Sequence, residues 1–168
     1  INTIIVTGGN GGIGSAVALK LAEEGYAVVV NYLYNPDEAD RIIEEIRSQG
    51  GSALAIKADI SSEVEVVEMI KLAKKQLGPI GGIVHCAAPR NEPRKFDELD
   101  WASFQEQLDI QLKGAFHCVK NALPDMLEVE GGSIVFIGSI YGEGVPPTQQ
   151  ARYVVAKAAL AALARSLA

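Results

Sequence analysis

Residues Thr3 to Gly14, TIIVTGGNGGIG, set the reading of the whole chain. Thr3–Thr7 reads as a short buried strand, and Gly12–Glu24 as a helix with Ile13, Val17 and Leu21 along one stripe. A glycine-rich turn joins them. The N-terminus of a helix leaves free N–H groups and a partial positive charge, which suit an anion such as a pyrophosphate. Glycines let the backbone turn tightly and leave no Cβ between it and a ligand. Two registers fit: Gly9, Gly11 and Gly14 as GxGxxG, and Thr7-Gly8 with Gly12 and Gly14 as TGxxxGxG. A glycine motif alone is weak, but a strand before it and a helix after it are the context of a dinucleotide turn. Gly8, Asn10, Gly12, Ile13 and Gly14 are its expected nucleotide contacts.

The same alternation continues outward. Ala27–Tyr32 reads as a second strand. Pro36–Gln49 is a helix with Pro36 at its start, Ala39, Ile42, Ile43 and Ile46 on one face, and Gly50 at its stop. Ala53–Ala58 is a third strand, and Ser61 or Ser62 caps a helix running to Leu77. Ile83–Ala87 is a fourth strand. Asp100 caps a long helix whose apolar face is Trp101, Phe104, Leu108, Leu112, Ala115, Phe116 and Val119. Ser133–Gly138 is a fifth strand, and an alanine-rich helix runs from about Gln150 to Ala168. Near-continuously apolar strands alternating with helices predict an α/β fold, a doubly wound parallel sheet (Rossmann fold) ordered 3-2-1-4-5. Ligands of such sheets sit at the C-terminal strand ends, by the switch point between the first and fourth strands. Gly8–Gly14, Asp59-Ile60, His85–Pro89 and the stretch after Phe136 should converge there.

The 168 residues fit one domain, and 48% apolar with 21% charged residues is a globular composition. A net charge of −6 at pH 7 argues against a nucleic-acid or anionic-membrane partner. No run reaches about 18 apolar residues, so no transmembrane helix is expected. No signal peptide is expected, and since Ile1 already reads as strand, a trimmed initiator Met is expected. Cys86 and Cys118 read as small buried hydrophobes with reduced thiols, which suits the cytoplasm. With His85 and His117 they make neither a Cys-x-x-Cys nor a His-x-x-x-His spacing, so no metal site is expected.

A site that prefers NAD(H) usually has a carboxylate at the end of its second strand, bonded to the ribose 2′-hydroxyl. Here Asn31-Tyr32 stand at that end, and the next acid is Asp37. NADP(H) is therefore favoured, with NAD(H) as the alternative. Tyr153 and Lys157 share one face of the final helix, just after a strand that ends at the crevice with Ser139 beside it. A free tyrosine titrates near about 10, too high for acid–base work at neutral pH. An ammonium about 5 Å away, at an effective dielectric of about 20, favours the phenolate by about 3 kcal/mol. Ser139 is suited to bond a substrate oxygen where negative charge develops.

With these residues in place, the chain resembles the short-chain dehydrogenase/reductases, most of all the β-ketoacyl-ACP reductase type. Thr7–Gly14 is similar to the family's TGxxxGxG turn, Ser139 to its serine, and Tyr153–Lys157 (YVVAK) to its YxxxK motif. The resemblance implies reduction of a ketone or β-ketoacyl thioester to a secondary alcohol. Tyr153 would give the oxygen its proton, Lys157 would tune Tyr153 and hold the ribose, and Ser139 would orient the carbonyl. It also implies that Asp59-Ile60 and Cys86-Ala87-Ala88 flank the adenosine, and that the chain forms homodimers or homotetramers. Trp101 and Phe116, with the small-residue helix Ala156–Ala164, supply apolar surface for that assembly.

The chain departs from the family pattern at three places. His85-Cys86-Ala87-Ala88 stand where the family has Asn-Asn-Ala-Gly, and Pro89 stiffens that loop. Gln111 replaces the asparagine that supports a water in the family's proton relay, so it is expected to hold that water, displace it or kink the helix differently. The third departure is the end at Ala168, whereas the family continues into further strands and a substrate loop. Residues 1–168 are thus expected to be a dinucleotide-binding domain with the catalytic residues but an incomplete substrate wall. The competing reading is a non-catalytic dinucleotide-binding sensor or scaffold. The altered His85–Ala88 segment and Gln111 favour it, and the Ser139, Tyr153 and Lys157 set opposes it.

Overall fold

The computed structural model describes residues 2–129, 131–142 and 144–168. The reading of Ile1 as strand lies outside them. The strands are β1 (Thr3–Thr7), β2 (Ala27–Tyr32), β3 (Ala53–Lys57), β4 (Ile80–His85) and β5 (Ser133–Phe136). They form one parallel sheet in the order β3-β2-β1-β4-β5, the order expected. Val6 in the central strand faces Val30 on one side and Val84 on the other.

Alternate side chains of each strand feed two separate cores. Ile5, Val29, Ile56 and Ile83 pack with Val66, Met69 and Ala73 of α3 (Glu63–Leu77) and with Cys118, Val119 and Ala122 farther along the chain. Val6, Val28 and Val30 pack with Ala18 of α1 (Gly12–Glu23) and with Ala39, Ile42 and Ile46 of α2 (Pro36–Ser48). Two faces covered by helices explain why the strands read as continuous apolar runs.

The capping residues act as predicted. Ser62 Oγ accepts from Glu65 N at 3.5 Å, and Asp100 Oδ1 accepts from Ser103 N at 2.8 Å. The element ends differ from the sequence reading. β4 begins at Ile80 because Gly81 and Gly82 belong to the strand yet add nothing to a hydrophobic pattern. They are needed there: a Cβ on Gly81 would lie 2.4 Å from Asn2 Cβ. β4 and β5 also end two residues early, which leaves Cys86, Ala87, Ile137 and Gly138 as irregular backbone over the crevice.

Two predicted helix faces hold in part. In α1 Val17 and Leu21 pack against the core beside the buried Gly14 and Ala18, while Ile13 is 59% exposed at the turn. The long helix is α4 (Trp101–Leu108), a π-helical turn (Asp109–Lys113) and α5 (Gly114–Glu128) in sequence. Ala115 and Val119 of the predicted face are buried, together with Ser103, Gln107, Gln111, Cys118 and Ala122, whereas Trp101 and Phe116 are 69% and 47% exposed. Glutamines take inward positions beside the half-buried Phe104, Leu108 and Leu112. The last helix, α6 (Ala151–Leu167), packs against α4, the π-turn and β5. Among the described residues no helix is long and apolar enough to cross a membrane.

Candidate active site

Gly8 turns the chain out of β1 with φ +60°, and a Cβ there would meet Ala87 Cα at 2.9 Å. The glycine turn therefore lies directly on the end of β4. Gly14 lets α1 start against this turn, since its Cβ would sit 2.2 Å from Gly8 O. At Gly12 the direction of a Cβ is open, with nothing within 4 Å. Gly12 is the first residue of α1, whose first turn has no acidic residue. Open backbone at the positive end of a helix fits a pyrophosphate. Asn10 closes the outer wall of the turn, its amide donating to Tyr34 O at 2.7 Å and Asn35 O at 3.1 Å.

Just past β3, Asp59 Oδ1 accepts from Ser61 N at 2.9 Å and Ser61 Oγ at 2.7 Å, which holds the half-buried carboxylate in place. The side chains of two residues expected at the nucleotide, Asn31 and Ile60, are buried. Asn31 is 2% exposed, and its amide donates to Ala58 O at 3.1 Å and Ile56 O at 3.4 Å. It reaches the turn only through its carbonyl, which accepts from Gly9 N at 2.8 Å. Ile60 is 4% exposed and belongs to the core, where a Cβ on Gly114 would touch its Cδ1 at 2.7 Å. The pleat of β2 turns the Asn31 side chain inward, and the turn after β3 sends Ile60 into the core. Tyr32 is half-buried against the α1–α2 core, and Cys86 and Ala87 are half-buried with Ala88 exposed beside them.

Tyr153 and Lys157 lie side by side on α6, and the turn that follows Ser139 packs on the same helix. Lys157 is 5% exposed, and its ammonium donates to Ile137 O at 2.5 Å and lies 5.7 Å from the Tyr153 ring centroid. Burial pulls the Lys157 pKa below the ordinary lysine value. The 3-10 turn Ile140–Gly142 rests on α6, since a Cβ on Gly142 would lie 3.8 Å from backbone atoms of Lys157 and Ala158. Ser139 heads this turn. Its Oγ accepts from Tyr141 N at 3.2 Å, which leaves the hydroxyl hydrogen to donate. Gln111 sits in the π-turn, fully buried, with its amide donating to Gln107 Oε1 at 2.5 Å along its own helix. Such π-turns are rare and concentrate at functional sites.

The pairing of Thr7 with His85 is not readable from the sequence, although each residue belongs to a motif named above. Thr7 Oγ lies 2.9 Å from His85 Nδ1 and accepts from Cys86 N and Ala87 N at 3.2 Å each. A histidine inside an apolar strand was the available signal. Burial drives His85 from 6.5 down to about 4, the Lys157 ammonium pushes the same way, and the Gln111 carbonyl opposes them. The unfolded ring takes up its proton near 6.5, so the contribution of neutral His85 is complete above that pH and is lost as pH falls toward 4. At about 1.4 kcal/mol per pH unit, this amounts to about 3 kcal/mol. We predict that urea unfolding at pH 7 and at about pH 4 records this loss, and that His85→Asn removes it. Equal slopes with pH in the two proteins would contradict the assignment. Burial also raises the thiols, Cys86 to about 11 and Cys118 to about 12, so both stay protonated.

A parallel doubly wound sheet with a glycine turn at its switch point defines the class of dinucleotide-binding α/β domains. The short chain dehydrogenase family profile matches residues 2–168, and the chain belongs to that family. It is 38% identical over 166 residues to the 3-oxoacyl-acyl-carrier-protein reductase FabG of Staphylococcus epidermidis, covering 98% of this chain and 66% of that protein. The chain thus spans just under two thirds of the length of the curated relatives it matches. A dehydrogenase/reductase crystal structure from Sinorhizobium meliloti superposes with a TM-score of 0.93 at 34% identity, covering 99% of this chain and 65% of that one. A blue fluorescent protein from a metagenomic library, solved in complex with NADPH, superposes at 0.90 with 27% identity over 99% of this chain and 67% of its own.

Proposed function

We propose that the protein is an NADP(H)-dependent reductase that converts a ketone, foremost a β-ketoacyl thioester, into a secondary alcohol. The observation that carries this reading is Lys157 lying under the Tyr153 ring on α6, with the Ser139 turn packed on the same helix. The FabG relatives support the substrate class, and the NADPH-bound neighbour supports the cofactor. The absence of a carboxylate at the end of β2 agrees with NADP(H).

A bound nicotinamide supplies the hydride for the carbonyl carbon. Gly8, Asn10, Gly12, Ile13 and Gly14 hold the diphosphate side, and Asp59, Cys86, Ala87 and Ala88 border the adenosine. Ser139 donates its hydroxyl hydrogen to the carbonyl oxygen and fixes its direction. Tyr153 delivers a proton to that oxygen as charge develops on it. The Lys157 ammonium stabilises the tyrosinate that remains and is placed to hold the ribose. Gln111 shapes this region through the π-turn.

The test is oxidation of NADPH by the full-length protein with acetoacetyl-CoA or simple ketones, followed by loss of nicotinamide absorbance. Turnover with a β-ketoacyl thioester supports the proposal. Tight NADPH binding with no turnover on any carbonyl would favour the sensor or scaffold reading instead.

The protein is further proposed to be cytoplasmic, in keeping with its two free thiols, and to form homodimers or homotetramers. Phe116, Leu123 and Leu127 make an exposed stripe along α5, and Trp101 stands exposed at the start of α4. Glutamate at both Trp101 and Phe116 is expected to yield monomers in light scattering. An unchanged mass would place the interface elsewhere.

A further inference from the structure

Behind Lys157 lies a buried polar cluster that the proposed reaction leaves unused. Thr7, His85, Gln107 and Gln111 are each at most 1% exposed. The amides of Cys86 and Ala87 can only donate, and both reach the Thr7 hydroxyl oxygen at 3.2 Å, the Cys86 amide shared with Thr7 O at 3.2 Å. The Thr7 hydrogen is then directed to His85 Nδ1, 2.9 Å away. A neutral imidazole that accepts at Nδ1 carries its proton on Nε2. That Nε2 makes no hydrogen bond of regular geometry, although the Gln111 carbonyl interacts with the ring, and Gln107 Nε2 and Gln111 Oε1 make none.

His85 is also one peptide from the lysine. Its carbonyl accepts from Ile137 N at 3.1 Å, and the Ile137 carbonyl accepts from Lys157 Nζ at 2.5 Å. The Phe136 ring meets the imidazole edge-on, with centroids 6.0 Å apart. Around the ring, α6 contributes the Lys157 ammonium, and β1, the π-turn and β5 contribute the uncharged Thr7, the Gln111 carbonyl and Phe136.

We propose that His85 is a positioning residue that ties the glycine turn to Lys157: Thr7 locks the ring as the neutral Nε2–H tautomer, and His85 holds the Ile137 segment and the π-turn in the places that set the ammonium. Thr7 adjoins Gly8, so the path runs from the backbone that would cradle a diphosphate to the group that serves Tyr153. The proposal deepens the reductase reading and rests on it for the role of Lys157.

The tautomer is tested without activity, by the ring ¹⁵N shifts of His85 in the full-length, cofactor-free protein between about pH 5 and about pH 8. The expected spectrum is an Nε2–H imidazole that does not titrate across this range. An Nδ1–H tautomer, or a midpoint near the ordinary 6.5, overturns the proposal. Coupling is read from the Lys157 Cε resonance: its titration midpoint moves by about 0.5 pH or more in His85→Leu and returns in His85→Asn, which keeps an acceptor and a donor. An unmoved midpoint overturns the coupling. In the reductase assay His85→Leu lowers kcat by about 10- to 100-fold with KM for NADPH within about threefold, and His85→Asn recovers most of it. A wild-type protein that reduces no carbonyl would sink the reductase reading alone, because the two spectroscopic results stand apart from turnover.

Discussion

Tyr153→Phe is expected to cut carbonyl reduction by about 10²- to 10⁴-fold while NADPH binding stays within about twofold. The substitution removes one oxygen and keeps the ring that sits over Lys157, so the packing of α6 is unchanged. What disappears is the proton for the carbonyl oxygen. Neither neighbour replaces it: the Ser139 hydroxyl serves to orient the substrate, and the Lys157 ammonium is bound to Ile137 O. The loss should fall on kcat, since the phenol contributes more to the transition state than to the ground state. Steady-state kinetics on the purified variant, with cofactor affinity measured separately, decide the matter. Unchanged turnover would remove Tyr153 from the mechanism.

Gly14→Ala should be the most damaging single methyl in the chain. The added carbon would lie 2.2 Å from Gly8 O and 2.9 Å from Gly8 C and Gly9 Cα. All three are backbone atoms of the turn, and no flexible side chain can yield. Either α1 moves off the sheet or the turn opens, and both break the packing of Ala18, which is 0% exposed. Overpacking against rigid backbone lies at the severe end of such substitutions, on the order of 4 kcal/mol. Gly12→Ala is the control, because nothing stands within 4 Å of its Cβ. It should fold normally and lose cofactor affinity alone. Thermal melts of the two variants test this. Equal stability would mean that the glycine turn is not packed as described.

Much of the fold was legible because each signal was local and repeated. The strands were apolar on both faces, Ser62 and Asp100 marked helix starts, and the order of the sheet followed from right-handed crossovers. The phosphate turn was legible because glycine is required where backbone meets backbone. Legibility failed where side-chain direction mattered. Asn31 stands at the end of β2 and Ile60 in the turn after β3, and sequence position alone does not reveal that both side chains point inward. The long helix misled for a related reason. Its inward positions hold Gln107 and Gln111 while Trp101 and Phe116 face outward, which inverts the usual rule for a helix on a core. His85 was read as one part of an altered loop motif. Its pairing with Thr7 spans 78 residues and follows only from β1 and β4 lying side by side.

The central claim is that the Gly8–Gly14 turn binds a nicotinamide dinucleotide and prefers NADPH. Titration of the full-length protein with NADPH and with NADH, followed by nicotinamide fluorescence, tests it most directly. The account predicts saturable binding of both, clearly tighter for NADPH, and loss of both in Gly12→Ala. Absence of binding by either cofactor would contradict it, and would mean that the Ala88-Pro89 segment closes the site that the glycine turn leaves open.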